Sequence, residues 1–296
     1  MKTGIYLSVI FFIFISLAKA QKPITITDDT IKFGNTLCPG IWVDIPEVNV
    51  EAARANWKKT IEKGSKSKAI INGSEITIFG ALLKDISETP INIFSALKNN
   101  DSVVKLFVAV ELQRDVFTSI NSKEHEQMKS MAKQFSKDQY IEVAEEQLSA
   151  QESKLKDLEK ELASLRKDKK KLDEMIQSSN ASIAQENYQI ASVKKSIEVT
   201  DNALDAKSTE LSTMANDDSK KAVQSEVKNL QKEKKSNLKK ISASENRISK
   251  ANDAIKDSNN AISLNLKHQE DVSFKINTQK LEVKKYSEKL KTIESY

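Results

Sequence analysis

Apolar residues recur at every seventh position over most of the chain after residue 150. The repeat forms two series, and position a of the heptad is apolar in nearly every repeat of both. A pattern of this length is typical of a coiled coil. The a positions are Leu155, Leu162, Lys169, Ile176, Ile183, Ile190, Ile197, Leu204 and Leu211 in the first series, and Val227, Lys234, Ile241, Ile248, Ile255, Ile262, Gln269, Ile276, Val283 and Leu290 in the second.

The two series are out of phase with each other. Continuing the first places a positions at 218 and 225, whereas the second has them at 220 and 227. Coiled coils absorb insertions of three or four residues within a continuous helix, so an offset of two residues indicates that the helix ends. The break coincides with residues 215–219, whose Ala-Asn-Asp-Asp-Ser sequence favours a turn. We therefore predict a long antiparallel coiled-coil hairpin over residues 121–296 with its tip near 215–219; one continuous rod that dimerises in parallel is the alternative.

The d positions of the repeat are less apolar than the a positions. Because helices owe most of their stability to packing, so thin an apolar seam leaves three interpretations open. The arm is dynamic, or it is an adequate spacer, or a third or fourth helix from a second copy or a partner protein shares the seam. The polar d residues are Ser179, Glu186, Thr200, Asn237, Ser244, Ser258 and Asn265.

The first part of the chain has a different pattern. All glycines and prolines lie before residue 91, and these residues interrupt regular structure most strongly. The hydrophobic pattern there predicts an α+β head over residues 21–120, in which the last three strands form an antiparallel meander. One helix packs on the sheet, and the start of the long helix is expected to cover part of the face that this helix leaves bare. The predicted elements are strands at 24–33, 41–45, 76–82, 91–93 and 104–112, a turn region at 34–40 and a helix at 48–63.

The N-terminus has the pattern of a targeting segment. Lys2 precedes an apolar run over residues 5–17, and Ala18-Lys19-Ala20 follows. This arrangement predicts a signal peptide at residues 1–20 and a mature chain that starts at Gln21; an uncleaved anchor is the alternative. No later segment is apolar enough to span a bilayer. We therefore expect an exported protein in the periplasm or the extracellular space.

Residues suited to catalysis are sparse. The chain has one cysteine, Cys38, and two histidines, His125 and His268. The segment that begins at His125 resembles the zinc motif HExxH, but Lys129 occupies the position of the second histidine. We predict a protein that is not an enzyme, without catalytic, cofactor-binding or metal-ligating residues. Cys38 is expected to be a buried thiol, with an intermolecular disulfide as the alternative.

The charge pattern argues against nucleic acid as a partner. The 47 basic and 42 acidic residues are interspersed. The formal charge of +5 falls by two when Lys2 and Lys19 leave with the signal peptide. The basic residues are nearly all lysine, whereas bidentate phosphate recognition favours arginine. A protein partner, or self-association through the coiled coil, is expected instead.

Several head motifs resemble those of a group of exported Gram-negative bacterial proteins that pair a small α+β head with a C-terminal coiled coil. The resemblance covers residues 40–165 and implies a periplasmic address, without a function to carry over. The motifs are Trp-Val-Asp-Ile-Pro at 42–46, Trp-Lys-Lys at 57–59, Pro-Ile-Asn-Ile at 90–93 and Val-Lys-Leu-Phe-Val at 104–108.

Three classes of function follow from these observations. The favoured one is a periplasmic structural or adaptor protein, whose arm spans distance and whose head or tip binds a protein partner. The alternatives are a holdase-type chaperone with helical arms and a head that binds a small ligand.

Overall fold

The computed structural model describes residues 22–101, 103–214 and 217–296, and the predicted signal peptide lies outside these ranges. The described chain is α+β, as predicted, with an antiparallel sheet of seven strands and two long helices that pack on each other. None of its helices combines the length and hydrophobicity that a membrane span requires. The elements are β1 (Ile26–Phe33), β2 (Thr36–Pro46), α1 (Val50–Glu62), β3 (Ile70–Asn72), β4 (Glu75–Ala81), β5 (Ile91–Asn100), β6 (Val103–Gln113), β7 (Val116–Phe117), α2 (Lys123–Thr213) and α3 (Asp217–Glu294).

The strands lie in the order β1-β2-β6-β5-β4-β3, and β7 pairs with β6. All these pairs are antiparallel, so the predicted meander of β4, β5 and β6 is confirmed. The short strands β3 and β7 were not predicted. They span three and two residues, too few for the alternation by which strands are recognised.

The turn region predicted at 34–40 is wrong. Phe33 pairs with Thr36, so the turn consists of two residues and β2 begins five residues earlier than predicted. Gly40 lies within this strand, and the neighbouring strand β6 passes very close to it. A Cβ atom there would lie 2.2 Å from the carbonyl oxygen of Val108, so only glycine fits.

The main core lies on one face of the sheet, beneath α1 and the first turns of α2. Trp57 of α1 is fully buried, donates a hydrogen bond from Nε1 to Ser95 Oγ at 2.9 Å, and packs against Phe135 of α2 with ring centroids 5.0 Å apart. The expectation that α2 covers the face left bare by α1 is therefore wrong. Both helices share one face, because Met128 and Phe135 join the core around Trp57.

The chain divides into two compact units, each described by itself. The head unit contains the described residues up to Ser153 together with Leu281–Tyr296, and the arm contains Lys154–Lys280. In the head unit, the end of α3 packs on α2 through Tyr140, Ala144 and Ile293.

The arm is an antiparallel pair of helices, as the heptad analysis predicts. Its interhelical side-chain pairs join residues about equally far from the point where α2 ends and α3 begins, which a parallel rod would not allow. None of the residues assigned to positions a and d is exposed. The predicted turn residues Ala215 and Asn216 lie outside the described residues. The interhelical pairs are Lys207–Glu226 at 2.9 Å, Lys234–Asp201 at 2.6 Å, Arg247–Glu186 at 2.6 Å and His268–Glu161 at 3.1 Å.

Candidate functional site

The sheet carries a second cluster of side chains on the face that α1 and α2 leave uncovered. We call this cluster the aromatic face. Aromatic residues alternate there with the aliphatic residues of the main core, because successive side chains of a strand point to opposite faces. Its members are Phe33, Trp42, Phe79, Phe94, Phe107 and Phe117.

The rings of the aromatic face form a continuous chain of contacts. The centroid of the Phe107 ring lies 5.2 Å from that of Trp42 and 6.0 Å from that of Phe33. Phe33 in turn lies 5.7 Å from Phe94, whose centroid is 6.0 Å from both Phe79 and Phe117. Tilted and edge-on pairs at such distances are favourable for aromatic rings. Gly40 makes room for this packing, because a Cβ atom at that position would lie 2.7 Å from the Phe107 ring.

The rings of the aromatic face differ in their exposure. Phe107 is fully buried and Phe33 is 7% exposed. Trp42, Phe94 and Phe117 are half-buried, and Phe79 is 52% exposed. The cluster therefore presents apolar aromatic surface to the solvent among the residues described.

Charged side chains lie beside this surface on the side of Trp42. Lys98 Nζ lies 4.9 Å from the centre of the Trp42 ring, and Trp42 Nε1 donates to Asp29 Oδ2 at 2.8 Å. Lys105 forms an ion pair of 2.9 Å with Asp44. An aromatic centre with a charged rim has the composition of protein–protein binding surfaces.

Cys38 is fully buried within the same cluster. Burial raises the pKa of its thiol to about 11, so the thiol is protonated at neutral pH and a poor nucleophile. The expected buried thiol is confirmed.

The segment that resembles a zinc motif has another role in the structure. His125 Nε2 lies 2.7 Å from Asp28 Oδ1, and Lys129 Nζ donates to Asp28 Oδ2 at 3.2 Å. Burial raises the pKa of the Asp28 carboxyl, but hydrogen bonds from His125 and Lys129 outweigh it and the net pKa is lowered. Because His125 and Lys129 are four residues apart on α2, both side chains reach the Asp28 carboxylate on β1.

A second carboxylate, Glu47, binds the end of α3. Lys289 Nζ donates to Glu47 Oε2, and Gln147 Nε2 donates to the same oxygen at 3.1 Å. Tyr140 donates to the other oxygen at 3.4 Å. Burial raises the pKa of Glu47, and the hydrogen bonds from Lys289 and Gln147 lower it further than burial raises it. Burial and the nearby Glu47 carboxylate raise the pKa of Tyr140.

In the arm, the polar d residue Glu186 is held by an arginine. Arg247 donates from Nε at 2.6 Å and from Nη2 at 2.8 Å to the two carboxylate oxygens, and Nη2 also donates to Ser244 Oγ at 3.0 Å. Hydrogen bonds to the carboxylate from Arg247 and from Ser244 lower the pKa of Glu186. The heptad analysis identified Glu186 and Ser244 but not Arg247, which lies beside the seam rather than in it.

Within the residues that the structure describes, no three His, Cys, Asp or Glu side chains form a group that could hold a metal ion. His268, the second histidine, is half-exposed and lies beside Glu161 on the arm. The chain matches no protein-family model, and a comparison with curated proteins finds no match. The aromatic face is therefore the candidate site, and sequence reasoning missed it. The available signal was the placement of Phe94 and Phe107 between aliphatic core residues on adjacent strands.

Proposed function

We propose that the protein is an exported, non-enzymatic structural or adaptor protein whose head unit binds a protein partner through the aromatic face. The observation that carries this proposal is the half-exposed aromatic cluster on the sheet face opposite α1 and α2. Aromatic residues dominate the energetics of protein interfaces, because they bury a large area at a small entropic cost.

Two features favour a protein over a small ligand as the partner. The aromatic face is the surface of a sheet, whereas small-molecule sites are concave and bring a few polar groups together. Its charged neighbours Lys98 and Asp29 instead lie beside the cluster and already contact Trp42. A rim of this kind provides orientation and specificity to a protein interface.

The arm and the N-terminal sequence supply the rest of the proposal. About 60 residues of α2 lie in the arm, which at 1.5 Å per residue gives a rod of about 90 Å, long enough to act as a spacer. The targeting pattern of residues 1–20 supports export, and the periplasm is the compartment we propose.

A photo-crosslinking amino acid at position 79 tests this proposal in cells. We expect it to capture a partner, because Phe79 is the most exposed ring of the aromatic face. The matched control is position 71. Ile71 is 45% exposed, and its cross-strand partner Ile76 belongs to the main core, so Ile71 lies on the sheet face opposite the aromatic face. Capture at neither position, or equal capture at both, would contradict the proposal.

A holdase-type chaperone is a second candidate, favoured by one observation on the arm. Several large apolar side chains there are exposed, and clients of a holdase bind such surface. The test is suppression of aggregation of a heat-denatured client by the full chain, and no suppression at equimolar protein would exclude this candidate. The exposed residues are Met175, Tyr188, Val199, Leu238, Leu264, Leu266 and Phe274.

A further inference from the structure

The apolar a residues of both arm helices lie on the same side of the seam. The ion pairs show this directly. Lys234 at position a contacts Asp201 at position e, whereas Glu186 and Lys207 at position d contact residues at position g. Positions a and e therefore form one side of the arm, and positions d and g form the other. We call the a residues in its middle the isoleucine stripe: Ile176, Ile183, Ile190 and Ile197 of α2, and Ile241, Ile248, Ile255 and Ile262 of α3.

In the middle of the arm, several polar residues are more deeply buried than the isoleucines. The polar d residues Glu186, Thr200 and Asn237 are 4–9% exposed, whereas every residue of the isoleucine stripe is only half-buried. Leu238 and Leu266, at position e beside the stripe, are 52% and 42% exposed. The arm thus leaves apolar surface in water along one side, although burying that surface would stabilise it.

Most of the residues that flank the stripe at positions b and e are uncharged; the exceptions in the middle of the arm are Lys194 on α2 and Glu245 and Lys256 on α3. Glu186 is the only charged residue between positions 176 and 193, and it lies on the opposite side of the arm. Short side chains beside an apolar stripe let another pair of helices approach closely. The flanking residues in the middle of the arm include Asn180, Ala184, Asn187 and Ala191 on α2, and Ser242, Ser249, Asn252 and Asn259 on α3.

We propose that the isoleucine stripe binds the same stripe of a second copy, with the two arms running in the same direction, to form a four-helix core. A twofold axis along the arms then places α2 of one copy against α3 of the other. Every helix in this core has antiparallel neighbours, which is the common arrangement of four-helix bundles.

Charge complementarity favours this orientation. At matching heights along the arm it brings Glu198 of one copy beside Lys235 of the other, and Asp205 beside Lys228. All four side chains are exposed, and none has an ion-pair partner among the residues described. Arms that run in opposite directions and centre on Asn187 would bring Lys170 beside Asp205 of the other copy, but they would also bring Lys235 near Lys256, so one contact is attractive and the other repulsive.

The size of the surface suits a stable dimer. The segment of α2 from Arg166 to Asp205 is about 60 Å long, and two helices side by side are about 20 Å wide. Their common face therefore has roughly 1,000 Å² on each copy, against about 800 Å² per partner in interfaces of standard size.

Cysteine crosslinking between differently labelled copies of the full chain tests the proposal, with Cys38→Ser as background. We expect a mixture of the Glu198→Cys and Lys235→Cys proteins to form a mixed disulfide. The matched control is Val199→Cys with Ser236→Cys, which lie one residue further along each helix and point away from the stripe. A monomeric mass for the unmodified chain, or equal crosslinking of both pairs, would overturn the proposal.

Charge reversal gives a second measurement that leaves the fold intact, since both residues are exposed. Glu198→Lys should raise the dimer dissociation constant roughly fivefold to thirtyfold, because two symmetric ion pairs become repulsive. Adding Lys235→Glu should restore it. Parallel arms would be rejected if neither substitution affects dimerisation. They would also be rejected if Lys170→Cys crosslinks to Asp205→Cys while Glu198→Cys and Lys235→Cys do not crosslink.

Discussion

At the scale of single residues, two carboxylates of the head unit each hold side chains from distant parts of the chain. Asp28 binds His125 and Lys129 at the start of α2, and Glu47 binds Lys289 near the end of α3. Both carboxyl pKa values are lowered. A carboxyl of lowered pKa stabilises the folded state only while it is ionised, so both contacts weaken in acid.

The Glu47 contact predicts a specific dependence on pH. Because its folded pKa lies below the ordinary value of 4.5, its stabilisation is complete above about pH 4.5 and is lost as the pH falls through the folded pKa. Glu47→Gln should lower the free energy of unfolding at pH 7 by about 1 kcal/mol and make that free energy less dependent on pH between 3 and 5.

Chemical denaturation of the full chain, followed by the tryptophan fluorescence of the head unit, measures this free energy of unfolding. Glu288→Gln is the control, because Glu288 is an exposed carboxylate on α3, directly before Lys289. If the two variants show equal stability at pH 7 and equal slopes below pH 5, then Glu47 does not stabilise the fold in the way described.

At the scale of elements, the arm shows how a polar residue is kept in a coiled-coil seam. Glu186 is 9% exposed at position d, and Arg247 pairs with both of its carboxylate oxygens. Removing the arginine leaves a carboxylate in the seam without its charged partner, which destabilises. Replacing the carboxylate by an apolar side chain leaves only a half-exposed arginine, which water can solvate.

The two substitutions should therefore change the stability of the arm in opposite directions. Arg247→Ala should lower the melting temperature of the long helices by a few degrees, whereas Glu186→Leu should raise it. Circular dichroism at 222 nm during heating measures both. A lower melting temperature for both variants would show that the ion pair contributes net stability.

The elements also show what a sequence can and cannot predict. The hairpin and its heptads were predictable because each contact repeats with a fixed period along the chain. The pairs Asp28–His125 and Glu47–Lys289 were not, because each joins residues far apart in sequence without any repeat. The aromatic face was missed for a different reason: Phe94 and Phe107 fit the alternation of a core strand, and only the position of α2 shows that their side of the sheet is uncovered.

At the scale of the whole molecule, the proposal assigns partner binding to the head unit and self-association to the arm. The two assignments rest on separate surfaces, the aromatic face and the isoleucine stripe. Loss of one should therefore leave the other intact. A chain with Glu198→Lys would still bind its partner, and a chain altered at Phe79 would still dimerise.

The proposed export of the protein gives a prediction for the mature chain. It should begin at Gln21 and be released from cells by osmotic shock without detergent, because the apolar run ends at a small-residue cleavage site. Mass spectrometry of the N-terminal peptide measures this. Membrane-bound protein that retains Met1 would contradict it.

Hydroxyl-radical footprinting in intact cells tests the central claim, that the aromatic face is covered by a partner, most directly. Phe79 is 52% exposed in the isolated chain, and Phe274, which points outward from the arm, is 71% exposed. We expect Phe79 to be labelled several-fold less in cells than in the purified protein, while labelling of Phe274 stays the same. Equal labelling of Phe79 in both settings would contradict a partner on the aromatic face.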